Sequence, residues 1–388
     1  MSIRGKAVIV GAYEHPRREI PDRTIAQIHR EVAVGALADA GLALADVDAY
    51  FCDSMAGFGP ITMAEHLGLS PRYVDSTETG GSSYLAHVGH AAAAIAAGKC
   101  RVALITLAGR PRTGGAAPGG TARMGGTPEA GFEQVGIFSP VGNYALAASR
   151  HMHEFGTTSE QLAWIKVAAS EHAQHNPHAL LQDVVTVDQV VDSPMIADPL
   201  HRLDCCVVTD GGGALVVVHP DVARDLGRAG ATVLGHGEAL KHTDAGRIDL
   251  TWSAARWSGP AAFAEAGVTP DDIQYASIYD SFTITVLIAL EDLGFCEKGR
   301  GGAFVADGAL RSPGGRLPFN TDGGGLCNNH PANRGGMTKV IEAVRQLRGE
   351  AHLAVQVPGC ELALAHGTGG ALSTRHGSAT LVLGAWAR

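Results

Sequence analysis

The chain has 388 residues, of which 45% are hydrophobic and 18% charged, and a formal net charge of −9. That length suits two ordinary domains or one large double unit with a sizeable core, and the composition is globular rather than disordered. The acidic balance leaves no basic footprint for nucleic acid or an anionic membrane surface. No apolar run approaches a membrane span, and Met1-Ser2-Ile3-Arg4-Gly5-Lys6 lacks a signal-peptide core, so a cytoplasmic location is expected. Seven cysteines (Cys52, Cys100, Cys205, Cys206, Cys296, Cys327 and Cys360) include no C-x-x-C pair, which supports neither a disulfide framework nor a metal site. They read as reduced, small hydrophobes.

In chain order, Ala7-Val8-Ile9-Val10-Gly11 predicts a short buried strand, residues 24–40 have helical periodicity ending at Gly41, and a second strand falls near 47–51. Thr79-Gly80-Gly81-Ser82-Ser83-Tyr84 then opens an alanine-rich run stopped by Gly98, which predicts one helix. Its glycine and alanine surface lets other backbones come close, so the helix is expected to be buried. Its first turn offers unpaired N–H groups and the positive end of the dipole, a place for a nucleophile or an oxyanion. The apolar run 101–107 predicts a strand, and a dimer is expected to form through it because so uncharged an edge is poorly left in water. Residues 109–142, rich in Gly, Pro and Thr, read as an excursion outside the sheet. Helical patterns resume at 144–155 and 159–174 until Asn176-Pro177 breaks them, and Asp210-Gly211-Gly212-Gly213 leads into a strand at 214–218.

The second part echoes the first. Ala7-Val8-Ile9-Val10-Gly11 resembles Ala231-Thr232-Val233-Leu234-Gly235, an offset of 224 (231 minus 7), and Ala40-Gly41-Leu42 resembles Ala266-Gly267-Val268, an offset of 226 (266 minus 40). Nearly equal offsets with the order of elements kept argue for two duplicated α/β halves, 1–225 (with an excursion over about 109–200) and 226–388. Strands alternating with helices in each imply sheets covered on both faces.

Three polar clusters sit in the second half: Ile278-Tyr279-Asp280-Ser281-Phe282, the glycine-rich stretch from Asn320 to Pro331, and Ala365-His366-Gly367-Thr368-Gly369-Gly370, read as a loop between apolar runs. Each also has a plain reading, with Asp280 or Ser281 as an N-cap and the glycines as turn formers. Three such clusters in one duplicated chain favour a site.

Taken together, the duplication, the glycine-rich mouth of the alanine-rich helix, Tyr279-Asp280-Ser281-Phe282, Asn329-His330-Pro331 and His366-Gly367-Thr368-Gly369-Gly370 resemble the thiolase superfamily. Arg202-Leu203-Asp204-Cys205-Cys206, Thr209-Asp210-Gly211 and Leu293-Gly294-Phe295-Cys296 point to its sterol-carrier-protein-type thiolase or lipid-transfer-protein branch. The resemblance implies a five-layered αβαβα fold, a homodimer and acyl-CoA substrates, with coenzyme A entering as part of the substrate and no bound cofactor. It also shows a departure. The place of the acylated cysteine is taken by Gly81, followed by Ser82 and Ser83, and that of the second catalytic cysteine by His366. The family's Gly-His-Pro histidine is retained as His330, and Tyr279 stands at the Asn or His of its other loop.

A thiolase carries the acyl group on a thiolate, which glycine cannot replace. Ser82 or Ser83 would need a base in reach, and Cys327 is an alternative nucleophile by chemistry alone. What survives suits retro-aldol cleavage: backbone donors at Gly81, Ser82, Ser83, Gly369 and Gly370 to hold a thioester enolate, and Tyr279, His330 and His366 as acid–base groups. Thiolase-like proteins lacking the nucleophile resemble aldolases that shorten CoA-linked sterol side chains. In those a tyrosine occupies the position of Tyr279, while their loop tyrosine is His330 here. The resemblance further implies a small partner with a zinc ribbon and an OB-fold. The alternatives are a thiolase or acyltransferase with a displaced nucleophile, and a non-catalytic acyl-CoA or lipid-binding subunit.

Overall fold

In the computed structural model, which describes residues 2–53, 57–114, 140–241, 249–331, 334–370, 372 and 376–386, local signals set many of the boundaries. Strand β1 (Val8–Glu14) runs three residues past the predicted Gly11. Helix α1 (Ile25–Ala40) begins at a capping box between Thr24 and Gln27 and ends at Gly41, which takes the left-handed conformation (φ 75°). There follow β2 (Ala49–Phe51), α2 (Pro60–Leu67), β3 (Tyr73–Asp75), the alanine-rich α3 (Ser83–Ala96) and β4 (Val102–Gly109). The connection from β4 to β7 (Gly211–Val218) carries α4 (Pro140–Phe155), α5 (Ser159–Ala173), α6 (Val187–Val191) and the short pair β5 (Met195–Ala197) and β6 (Leu200–His201). The excursion expected over about 109–200 is thus largely helical from residue 140 on, and its 115–139 part lies outside the described residues. After α7 (Pro220–Leu226) come β8 (Gly230–Lys241), α8 (Ala255–Ala266), β9 (Tyr275–Ile278), α9 (Thr283–Asp292), α10 (Gly301–Val305), α11 (Gly336–Arg348), β10 (Leu362–Gly370) and β11 (His376–Trp386).

The order strand, helix, short 3₁₀ turn, strand recurs in both halves, and the two turns, Leu44–Asp46 and Pro270–Asp272, repeat the offset of 226 (270 minus 44). Nine strands form one sheet in the order β3-β2-β4-β7-β1-β8-β11-β10-β9, and the halves join where β1 pairs with β8 (Val8↔Thr232, Ile9↔Ala231). Helix α1 covers β1, β7 and β4 on one outer face, and α8 covers β8 and β11 on the other. Between them α3 and α11 each touch strands of both halves, which completes the five layers. Three apolar clusters fill the spaces: one under α1, one around α3 and α11, and one among α8, α9, α4 and α5.

Two expectations are corrected. The strand predicted at 101–107 does not lie at an edge: β4 is hydrogen-bonded to β2 on one side and β7 on the other, so its lack of charge reflects burial within the sheet. The free edge of that half is β3. Residues 365–370 are not a loop but the end of β10, paired with β11 up to Gly370↔His376. Among the described residues, no helix is long and apolar enough to cross a membrane.

Candidate active site

At the end of β9 the Asn320 amide takes both backbone groups of Ile278, accepting from its N–H (2.9 Å) and donating to its carbonyl (2.8 Å). The chain leaves the ladder at Tyr279, whose N–H still reaches the His366 carbonyl on β10 (2.9 Å). Asp280, next in line, does not cap α9. Its carboxylate accepts from the N–H groups of Gly325 (2.8 Å) and Leu326 (3.1 Å) and pairs with Lys339 of α11 (2.7 Å), all of it buried. These bonds hold the one-turn π-helix Gly324–Asn328, from which Asn329 and His330 emerge.

The result is a close pair. Tyr279 Oη and His330 Nε2 are 2.7 Å apart, with the rings edge to face at 72°, and the two residues are only 5% and 6% exposed. Burial pushes the Tyr279 phenol well above its ordinary value, opposed by a Gly335 N–H and the Arg334 charge. Burial likewise lowers His330 to about 4, with Asp280 pulling upward and Lys339 downward. Near neutral pH both groups are therefore uncharged, the phenol donates, and Nε2 accepts.

Gly81 lies directly against this pair. A Cβ at residue 81 would overlap the Thr368 carbonyl and the Tyr279 ring, coming within 2.7 Å of Cζ. Gly336, at the start of α11, has no side chain because one would run into the Gly81 carbonyl, and Gly369 backs onto Gly80. Three chain segments thus meet backbone to backbone at the mouth of α3.

The other predicted residues fall in different places. Ser82 Oγ donates to the Thr79 carbonyl (2.8 Å), Ser83 Oγ accepts from the Thr79 N–H (2.9 Å), and the Ser83 N–H bonds the Gly80 carbonyl. Their hydroxyls shape the turn and meet no base among the described residues. Gly369 and Gly370 face Gly377 and His376 across the hairpin. His366 is not brought to the pair. Gly367 faces α3, where its Cβ would lie 3.1 Å from Ser82 Cα, so the neighbouring His366 faces the outer helices by strand alternation. There Nδ1 meets Thr380 Oγ1 (2.9 Å), which in turn meets Ser258 of α8 (2.9 Å), and burial lowers His366 to about 3. Cys327 is fully buried, with its Sγ 3.1 Å from Lys166 Nζ, and burial raises its thiol pKa in spite of that lysine. A closed, protonated thiol is a poor nucleophile.

Three neighbours were given no role at the site in the sequence reading. Arg334 pairs with Asp53 (3.2 Å) and Glu78 (3.0 Å), and Glu78 also accepts from the Gly80 N–H (2.9 Å), tying the glycine turn to the segment beside Tyr279. Tyr144 packs against Phe282 with the rings tilted (centroids 4.7 Å apart), and Ser281 and Thr368 lie beside a phenol that burial pushes up to about 12. Thr209 bonds the His330 N–H (3.0 Å). Thr209 stood within a quoted motif and Arg334 just after one, whereas nothing local distinguishes Tyr144 from a core aromatic.

A family model described as "Thiolase C-terminal domain-like" matches residues 237–385. An acetyl-CoA acetyltransferase of Methanothermobacter thermautotrophicus is 34% identical over 375 residues, 93% of this chain and 96% of its own. A steroid side-chain-cleaving aldolase of Thermomonospora curvata is 35% identical over 359 residues, 89% and 91% of the two chains. Among solved structures, the Ltp2-ChsH2(DUF35) aldolase superposes with a TM-score of 0.88 at 33% identity, covering 99% of this chain and 98% of that one.

Proposed function

The chain belongs to the thiolase superfamily, and from that premise we propose that it is an enzyme that breaks a carbon–carbon bond in a β-hydroxyacyl-CoA by retro-aldol cleavage, with no covalent acyl-enzyme. One observation carries the reading. The Tyr279 ring lies where a nucleophile at residue 81 would project, and its phenol is bonded to His330. An acyl-transfer site has been exchanged for a proton-transfer site.

The roles follow from that geometry. As the substrate β-hydroxyl gives its proton to the Tyr279 oxygen, the phenol proton passes to His330 Nε2. The Cα–Cβ bond breaks, its electrons form the thioester enolate, and the β-carbon becomes a carbonyl. The proton on His330 returns through Tyr279 to the enolate carbon, so atoms and charge balance. Backbone N–H groups at the mouth of α3 and at Gly369–Gly370 are assigned to the enolate oxygen, a contribution of about 3–4 kcal/mol per well-placed donor. The name of one relative, the steroid side-chain-cleaving aldolase, favours a steroid-like acyl group. The paired name of the solved aldolase favours a small second subunit, for which a zinc-ribbon and OB-fold protein is proposed. A cytoplasmic homodimer with no bound cofactor completes the reading.

The test is turnover of a β-hydroxyacyl-CoA, followed by release of acetyl- or propionyl-CoA and by intact mass of the protein, with and without a genomically adjacent small subunit. Cleavage with no mass adduct is expected. A stable acyl adduct would replace this reading with a displaced thiolase.

A further inference from the structure

The motif Thr209-Asp210-Gly211 helps assign the chain to its branch, yet nothing in the chemistry above uses it. Thr209 is fully buried just before β7, in a parallel bridge to Pro331. Its hydroxyl has two partners on the loop that carries the site histidine: Asn329 Oδ1 at 2.6 Å and the His330 N–H at 3.0 Å. Asn329 Nδ2 in turn donates to Glu14 Oε1 at the end of β1 (2.7 Å). Glu14 receives Arg18 Nη2 (2.9 Å) and Arg345 Nη1 (3.3 Å), and although burial pushes its carboxyl up, these two cations and the Asn329 bond hold it down to about 2.

The direction of every bond in this chain is determined. An ionised carboxylate can only accept, so the Asn329 amide must turn its NH₂ to Glu14 and its oxygen to Thr209. The Thr209 hydroxyl must then donate to that oxygen, which leaves its lone pairs for the His330 N–H. One charge on the first strand thereby orients a backbone group 316 residues later (330 minus 14). The other end of the loop is held independently by Asp280. Between these anchors the imidazole has little freedom, as a proton carrier within 2.7 Å of its phenol requires.

We propose that Thr209, oriented by Asn329 and Glu14, is a positioning residue for His330: it sets the imidazole against Tyr279 without touching substrate. This rests on the retro-aldol reading, and its test separates the two. Thr209→Val keeps the shape but leaves a buried amide oxygen and the His330 N–H unpaired, whereas Thr209→Ser keeps both bonds. With a β-hydroxyacyl-CoA as probe, Thr209→Val should lower kcat about 10- to 100-fold with KM within twofold, and Thr209→Ser should stay within about threefold of wild type, effects of the size expected for a misplaced acid–base group. A crystal structure of Thr209→Val should show the Tyr279–His330 contact lengthened beyond hydrogen-bond range. Retention of that contact, or a Thr209→Ser variant as impaired as Thr209→Val, overturns the proposal. If wild type cleaves no β-hydroxyacyl-CoA, the retro-aldol reading falls, while the measured contact still decides whether Thr209 positions His330.

Discussion

The ring of Tyr279 stands in the space that a side chain on Gly81 would need, with Cζ 2.7 Å from the position of the missing Cβ. The absent nucleophile and the extra phenol are therefore one structural fact. Substituting Gly81 by Cys should displace Tyr279 and abolish cleavage without creating a thiolase. Gly81→Ala isolates the steric part and should destabilise by about 1–3 kcal/mol, the usual cost of overpacking. In a Tyr279→Ala background that cost should fall but not vanish, because the Thr368 carbonyl also occupies the space. Urea unfolding of the four proteins in the cycle checks this, and simple additivity would contradict it.

Tyr279→Phe keeps the ring against Gly81 and removes only the hydroxyl. It should melt close to wild type, bind acyl-CoA as well, and lose cleavage by about 10²–10⁴-fold. His330→Gln should lose a comparable factor. A Tyr279→Phe enzyme within threefold of wild-type turnover would remove the phenol from the mechanism.

Cys327 faces Lys166 inside the protein rather than the site. Cys327→Ser should leave turnover within about twofold, and the native thiol should resist a disulfide reagent until the chain unfolds, as expected of a buried, protonated cysteine. Rapid modification at residue 327 with parallel loss of activity would show that the thiol is reached by substrate.

Six buried histidines and the half-buried His236 predict a steep acid limit. Burial lowers His29, His87, His172, His236 and His330 to about 4, and His366 and His376 to about 3. Unfolded histidines titrate near 6.5, so below that pH the unfolded chain binds protons that the folded one refuses. The stability contributed by neutral burial is full above pH 6.5 and is lost as pH falls toward 4. Each such group adds about 1.4 kcal/mol per pH unit of that interval, so a few together exceed the usual margin. The melting temperature should drop sharply between pH 7 and 5. A melting temperature level across that span would show that these histidines are hydrated.

The two halves are expected to be inseparable, because α3 from one and α11 from the other share the central layer and β1 pairs with β8. Residues 1–225 expressed alone would expose the face that α11 covers and should be insoluble or lack a cooperative melt. A soluble fragment with a sharp thermal transition would count against this.

Much of this protein is determined within short windows of sequence. Thr24 with Gln27 and Gly41 bound a helix, the alanine-rich run after Ser83 makes one that is buried over most of its surface, and the repeated offset of 226 announces the duplication. Caps, periodicity and small-residue surfaces are local, so they survive in the linear text. The candidates Tyr279 and His330 could be named for a related reason, since each stands in a motif carried by a strand end or a tight turn. What the tertiary structure decided is pairing. Residues 101–107 look the same as an edge or as an interior strand, and only the flanking β2 and β7 make β4 interior. His366 sits in a glycine-rich motif like a site residue, yet strand alternation turns it to the outer helices. Tyr279 and Gly81 lie 198 residues apart (279 minus 81), and Glu14 and Asn329 lie 315 apart (329 minus 14). Their contacts exist because two half-sheets close on one helical layer, and no spacing within a single stretch of chain encodes that closure.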